Sequence, residues 1–205
     1  MTWTQSLLAA LFLGSLGSFS WAMRKFFTRP SGTTSGMKVI AGCGVLFAIL
    51  HLMALAFSSI SYARGLTGAV LYSASLALFW WAILMHLGRP LSASFSPDRP
   101  VHLVQSGPYR FIRHPLYTSY LLTWAAAPIA TGRWYLLGTV AAMAAIYVAA
   151  ATAEEKKFLD TPLADAYLQY RSRTGLFFPN VVKAIPALLT KWAANNRLRS
   201  FRKPA

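Results

Sequence analysis

The sequence predicts an all-α integral membrane protein: five transmembrane helices with a polar cap on the cytoplasmic side. Three observations lead there. Of the 205 residues 56% are hydrophobic and 12% charged, where an ordinary soluble domain carries about 25% charged residues. Mean hydropathy is +0.44. The apolar residues gather into five runs, near 7–23, 39–60, 67–87, 115–131 and 134–153. At about 1.5 Å per residue such runs reach across a hydrocarbon core of about 30 Å, the fourth only just. Finally, the Lys and Arg residues fall almost entirely on one side of these runs.

The first run follows "MTWTQS", a flank without positive charge. A cleaved signal peptide wants a basic start, so this run reads as a retained helix with its amino terminus outside. "TRPSGTTSG" (28–36) is a turn-rich connector. The second run holds the single cysteine, Cys43, which excludes an intrachain disulfide, and His51. No other ionisable side chain lies as deep in an apolar run. His51 is either a functional group, as intramembrane ionisable residues commonly are, or a neutral histidine bonded to a backbone carbonyl. "SSISYARG" (58–65) is a short outer loop, and the third run ends at "HLGRP".

After the polar stretch 88–114 comes the fourth run, joined to the fifth by the short turn "APIATGRWY" (127–135). These two runs must form an antiparallel hairpin. Gly138, Ala141, Ala142, Ala144, Ala145 and Ala149 to Ala151 make the fifth run rich in small residues. Small residues let helices approach closely in lipid, so this run is expected at the centre of the bundle. Residues 154–180 are again cytoplasmic, and 181–205 form a basic amphipathic tail suited to the membrane surface. The whole is a single membrane domain.

Of the twenty Lys and Arg residues, eighteen fall on one side of this arrangement and only Arg64 and Arg133 on the other. The positive-inside rule then puts the carboxyl terminus in the cytoplasm. It also accounts for the net charge of +15 without nucleic acid, which is not expected as a partner. The expected partner is the lipid bilayer; oligomeric state is not readable.

All five acids, Asp98, Glu154, Glu155, Asp160 and Asp165, lie on the cytoplasmic side, and the apolar cores hold no acid pair for a proton-coupled pump. The hairpin brings His114-Pro115, at the start of the fourth run, beside Glu154-Glu155 at the end of the fifth. Pro115 suits a first helical turn, where free N–H groups favour an anion. Glu154 and Glu155 can accept hydrogen bonds from an amine or from ribose hydroxyls. The alternative is a solvated Glu/Lys run with Lys156 and Lys157. The densest polar stretch, "GPYRFIRHPLYTSY" (107–120), thus sits where a water-soluble zwitterion could meet a substrate dissolved in the bilayer.

At these residues the chain resembles the isoprenylcysteine carboxyl methyltransferase family, which belongs to a wider group of membrane methyltransferases that includes phospholipid N-methyltransferases. The resemblance rests on "SGPYRFIRHPLYTSYLL", "EEKKFL" and "YLQYRSRTGLFFP" and covers roughly residues 90–180. It implies that the cap binds S-adenosylmethionine, with S-adenosylhomocysteine as product. It further implies cofactor contacts at Val101, His102, Leu103, Val104, Tyr109, His114, Pro115, Leu116, Tyr117, Glu154 and Glu155, with a looser one near Ser94. Glu155 and His114 are assigned to cofactor placement. No metal is needed, since methyl transfer from a sulfonium is an in-line displacement that positioning and exclusion of bulk water can drive.

One departure stands out. In the family's eukaryotic enzymes an arginine four residues before the glutamate matching Glu155 holds the substrate carboxylate; here that position is Ala151. Either Arg171 or Arg173 substitutes, or the acceptor is not an isoprenylcysteine carboxylate. Arg113 is a further candidate for holding a carboxylate; its alternative is a positive-inside anchor. Tyr117 and Tyr120 can equally be interfacial aromatics, and Tyr167 and Tyr170 can simply pack the cap. The expected acceptor is a lipophilic small molecule or prenylated substrate. The rival readings are a phospholipid or other lipid N-, O- or S-methyltransferase, an NADPH-dependent membrane lipid reductase, and a non-catalytic membrane subunit.

Overall fold

A computed structural model of the chain describes residues 2–28, 35–87, 91–92 and 100–180. The expected tail at 181–205, together with Ser94, lies outside the described residues. Six α-helices are described: α1 (Trp3–Phe26), α2 (Ser35–Phe57), α3 (Tyr62–Leu84), α4 (Pro115–Thr131), α5 (Leu136–Leu159) and α6 (Ala164–Arg173). Extended pairing among the described residues amounts to a two-residue parallel one, β1 (Phe27–Thr28) with β2 (Leu91–Ser92), and an isolated parallel bridge between Ile112 and Gly175. Helices α1, α2, α3 and α5 are long and apolar enough to cross a membrane. At 17 residues, α4 is about 26 Å long, a little short of the ~30 Å core.

The ends of the helices follow from local chemistry. Thr2 and Gln5 form a reciprocal capping box at the start of α1. The Gln5 amide also donates to the carbonyls of Ala56 and Ser58, tying the start of α1 to the end of α2. Pro115 occupies the first turn of α4, where its missing N–H leaves no bond unmade. Gly132 ends that helix in the left-handed conformation, φ +69°, with its N–H on the Pro128 carbonyl.

The small-residue run of α5 is not the centre of the bundle. Seven of its 24 residues are buried, against eleven of 17 in α4. Gly138, Ala141, Ala145 and Ala149 face outward, and α5 turns Met143, Tyr147, Ala150 and Ala151 inward. The close approach that small residues permit is made instead between α3 and α4, the most extensive helix pair. There a Cβ on Gly68 would stand 2.7 Å from that of Ala130. The Ser75 hydroxyl donates to the Ser119 carbonyl at 2.6 Å and lies 2.7 Å from the Thr123 hydroxyl. Such polar contacts fix register between helices where no water competes.

His51 bonds a side chain rather than a carbonyl. Its Nε2 lies 2.7 Å from Thr139 Oγ1, and that hydroxyl donates to the Leu136 carbonyl. Nε2 therefore carries the proton, and the pair links α2 to α5. The fully buried residues of α2, His51, Ala54 and Leu55, all lie in its second half, while Cys43, Phe47 and Ala48 pack against the core only in part.

Candidate active site

The beginning of α4 is held by chain from both sides. Gly107, at φ +57°, opens the single 3-10 turn Gly107–Arg110. A Cβ there would lie 2.6 Å from the Met85 sulfur, so the position needs glycine for conformation and for space. The segment after α6 then pairs with the strand-like approach to α4: Arg113 N–H donates to the Gly175 carbonyl at 2.8 Å and His114 N–H to that of Leu176 at 3.1 Å. Thr118 Oγ1 donates to the Phe177 carbonyl. The tyrosines of α6 complete the cap. Tyr170 donates to the Tyr109 carbonyl at 2.7 Å, and Tyr167 stacks on Phe158 with centroids 4.6 Å apart.

This packing gathers the charges into one knot. Arg113 Nε donates to Glu155 Oε1 at 2.7 Å, and its Nη1 to the Thr174 carbonyl. His114 Nε2 lies 3.3 Å from the same Glu155 oxygen and its Nδ1 3.6 Å from Glu154 Oε2. Arg171 Nε is 3.6 Å from the other Glu155 oxygen. Tyr117 donates to Glu154 Oε1. The Arg113–Glu155 pair is largely shielded, with side chains 11% and 9% exposed. Breaking such a pair by removing one partner costs about 3–5 kcal/mol.

Around the knot the phenols stay protonated. Burial raises Tyr109 above its ordinary value, Tyr170 adding to the effect. Burial likewise raises Tyr167, with Glu155 beside it, and Tyr170. All three are donors rather than bases at working pH. The Tyr109 hydroxyl meets His86 Nε2 at 2.9 Å. The Tyr167 hydroxyl faces Glu155 without closing a well-formed hydrogen bond.

A cavity of about 760 Å³ opens from this knot. Val101, His102, Leu103, Val104, Tyr109, His114, Pro115, Leu116, Tyr117, Glu154 and Glu155, eleven residues singled out in the sequence, all line it. Their convergence follows from the hairpin: His114 caps the start of α4 and Glu154 lies in the last turns of α5. The arginines fare differently. Arg113 reaches the wall, but its guanidinium is committed to Glu155 and to backbone carbonyls, so it is a brace of the cap rather than a free carboxylate clamp. Arg171 is half exposed and leans on Glu155 from outside the lining. Arg173 is exposed and donates to the Gln169 carbonyl on its own helix. Neither Arg171 nor Arg173 lines the cavity, because the inward face of α6 is given to Tyr167 and Tyr170. Ala151 is fully buried.

Beyond the knot the cavity continues between the second half of α1 (Leu16, Phe19, Met23) and the first half of α2 (Met37, Ile40, Gly44), with Trp124, Met143 and Tyr147 at its inner end. Sequence reasoning missed these residues and His86. A signal was present: Tyr147 lies seven residues before Glu154 and Trp124 seven after Tyr117, two helical turns along the same faces. An apolar run that places polar-tipped aromatics at that spacing is building a wall.

Comparison with known proteins agrees with this geometry. The phospholipid methyltransferase family model matches residues 63–165, half of the chain, a stretch that runs from α3 through the start of α6. The chain is also 34% identical, over 71 residues, to methanethiol S-methyltransferase 1 of Bradyrhizobium diazoefficiens. That match covers 35% of this chain and 24% of the relative, so the chain matches about a quarter of the relative's length. The helix pair, the charged knot at one end of it and the match across the pair lead to one assignment: the chain belongs to the phospholipid methyltransferase family.

Proposed function

We propose that the protein transfers a methyl group from S-adenosylmethionine to a lipophilic acceptor at the cytoplasmic face of a membrane. The observation that carries this reading is the cavity itself, continuous from a charged end at Glu154 and His114 to an apolar end between α1 and α2. Ligand sites are concave, mostly apolar and carry a few convergent polar groups, and here the two carboxylates gather with His114 at one end.

The residues at the charged end suit the cofactor. Glu154 offers acceptor oxygens to an ammonium or to ribose hydroxyls. The N–H groups of Leu116 and Tyr117, in the first turn of α4 after Pro115, favour a carboxylate. Tyr109 and residues 101–104 offer flat and apolar surface for an adenine ring. When bound, the cofactor supplies an electrophilic methyl group. Glu155 orients His114 and is itself fixed by Arg113, so the wall is set before the ligand arrives. None of these residues needs to move a proton.

In this reading α4 is a fifth span despite its length, the described parts of 88–114 and 154–180 form the cytoplasmic cap, and the amino terminus lies outside, as the cation asymmetry supports. The acceptor is not a prenylcysteine carboxylate. The clamp position holds buried Ala151, and the Arg113 guanidinium is committed to Glu155. The likeness to a methanethiol S-methyltransferase favours a neutral apolar thiol over a charged headgroup. The test is to incubate the detergent-purified protein with methyl-labelled S-adenosylmethionine and, separately, octanethiol, a farnesylcysteine and phosphatidylethanolamine vesicles. Label transferred to octanethiol supports the reading. Label in none of the three, with no cofactor binding, overturns it.

A further inference from the structure

Between the charged knot and the apolar end of the cavity runs a ladder of rings. His114 stacks on Tyr117 at 5.6 Å and 26°, and Tyr117 on Tyr147 at 5.3 Å and 16°. Tyr120 packs against Tyr147 with centroids 5.7 Å apart. The last rung is anchored from below, where Trp124 Nε1 donates to the Tyr147 hydroxyl at 3.1 Å. An indole N–H only donates, so the phenol oxygen is the acceptor and its own proton must point elsewhere. No acceptor for that proton is found among the described residues. Trp124 cannot easily turn away, being edge-packed on Phe12, Phe47 and His51. Tyr147 lines the cavity and is otherwise enclosed, 4% exposed.

We infer that the Tyr147 hydroxyl, fixed by Trp124, is the group that holds the acceptor atom, and that the acceptor bound there is the thiolate of an apolar thiol. The inference rests on the methyl-transfer reading above and deepens it. Tyr147 stands seven residues, about 10 Å of helix, before Glu154, on the apolar side of the charged knot. A donor at that place discriminates between nucleophiles. An ammonium presents only donors and is repelled. A neutral amine has one lone pair, and bonding it to a phenol O–H removes the pair needed for attack. A thiolate has three, so one can accept from Tyr147 while another attacks. A bond to an N–H polarises the phenol and strengthens its donation.

The step balances without a base in the transfer itself. The thiol proton leaves to solvent as the thiolate binds. The acceptor sulfur then forms a bond to the methyl carbon while the bond from that carbon to the sulfonium breaks. Its electron pair stays on the departing sulfur. A cation and an anion become two neutral thioethers, a change favoured where water is excluded.

The experiment compares the wild-type protein with Tyr147→Phe and Trp124→Phe, using octanethiol as acceptor and S-adenosylhomocysteine as a calorimetric probe. Tyr147→Phe should keep S-adenosylhomocysteine affinity within about twofold, lose roughly 10- to 100-fold in kcat/KM for octanethiol, and shift the rising limb of its pH–rate profile upward by about one unit, because the neutral thiol is no longer outcompeted by a bonded thiolate. Titrating octanethiol into the S-adenosylhomocysteine complex, in buffers of different ionisation enthalpy, should release about one proton per thiol bound in the wild type and show much weaker binding in the variant. Trp124→Phe should move the same pH limb by a smaller amount. A Tyr147→Phe variant with wild-type turnover and an unmoved pH limb overturns the inference. If that variant fails to bind the probe, an unmoved limb in Trp124→Phe overturns it instead. A wild-type protein that binds S-adenosylhomocysteine but labels phosphatidylethanolamine and not octanethiol also overturns it, leaving methyl transfer intact. Failure of the wild type to bind the probe or to transfer label sinks the broader reading.

Discussion

At the cap end of the cavity, Arg113, His114, Glu154, Glu155 and Tyr109 each meet a partner on another segment of the chain. At the bilayer end the first half of α2 buries no residue, and the wall there is Met37, Ile40 and Gly44 against Phe19 and Met23. The two ends differ in stiffness as well as in polarity. A polar ligand gains affinity from a wall that is already organised, because little ordering is left to do on binding. An apolar acceptor needs area and exclusion of water more than fixed directions, and a loosely packed helix face can supply both. Under the proposed function, the difference assigns recognition of the water-soluble cofactor to α4 and α5 and of the lipid-soluble acceptor to α1 and α2, with Tyr147 at the border.

The contrast can be broken from the stiff end with the largest effect. Glu155→Ala removes the partner shared by Arg113, His114 and Arg171 and should lower S-adenosylhomocysteine affinity by ~100-fold or more, measured by calorimetry on protein that still inserts and purifies. Unchanged affinity would take Glu155 out of the cofactor wall. At the loose end, Gly44→Phe enters open space, since nothing lies within 4 Å of a Cβ there. It should raise KM for a long-chain acceptor about tenfold while S-adenosylhomocysteine affinity stays constant. Equal loss in both would show that the two ends are not separate.

How much of this was legible in the sequence depended on the range of the interaction. Helix positions follow from local apolar composition, and each of the five runs coincides with a helix to within a few residues. The meeting of His114 with Glu154 and Glu155 was legible because a short turn forces α4 and α5 together. The centre of the bundle was misjudged because composition counts alanines without telling which face they occupy. The clasp of Gly175 and Leu176 on Arg113 and His114 joins residues that no local pattern connects. A role for Arg173 was expected as a substitute for the clamp missing at Ala151, and α6 turns it outward.

Two smaller effects sharpen the comparison. Gly107→Ala places a side chain at φ +57° against Met85 and should lower stability by about 1–3 kcal/mol, read as a fall in Tm, since the cap end has no slack to absorb it. Arg173→Ala should change both S-adenosylhomocysteine affinity and methyl transfer by less than about twofold, as for an exposed side chain that touches only its own helix. A selective loss of turnover in this variant would restore Arg173 as an acceptor anchor.

The central claim is that the polar end of the cavity is a preformed cofactor site, and the most direct test is calorimetry of the detergent-purified protein with S-adenosylhomocysteine, at low and at physiological salt. The account predicts micromolar binding that tolerates salt, because the Arg113–Glu155 knot is shielded from solvent and buried pairs are weakly screened. Absence of binding at millimolar ligand would contradict it.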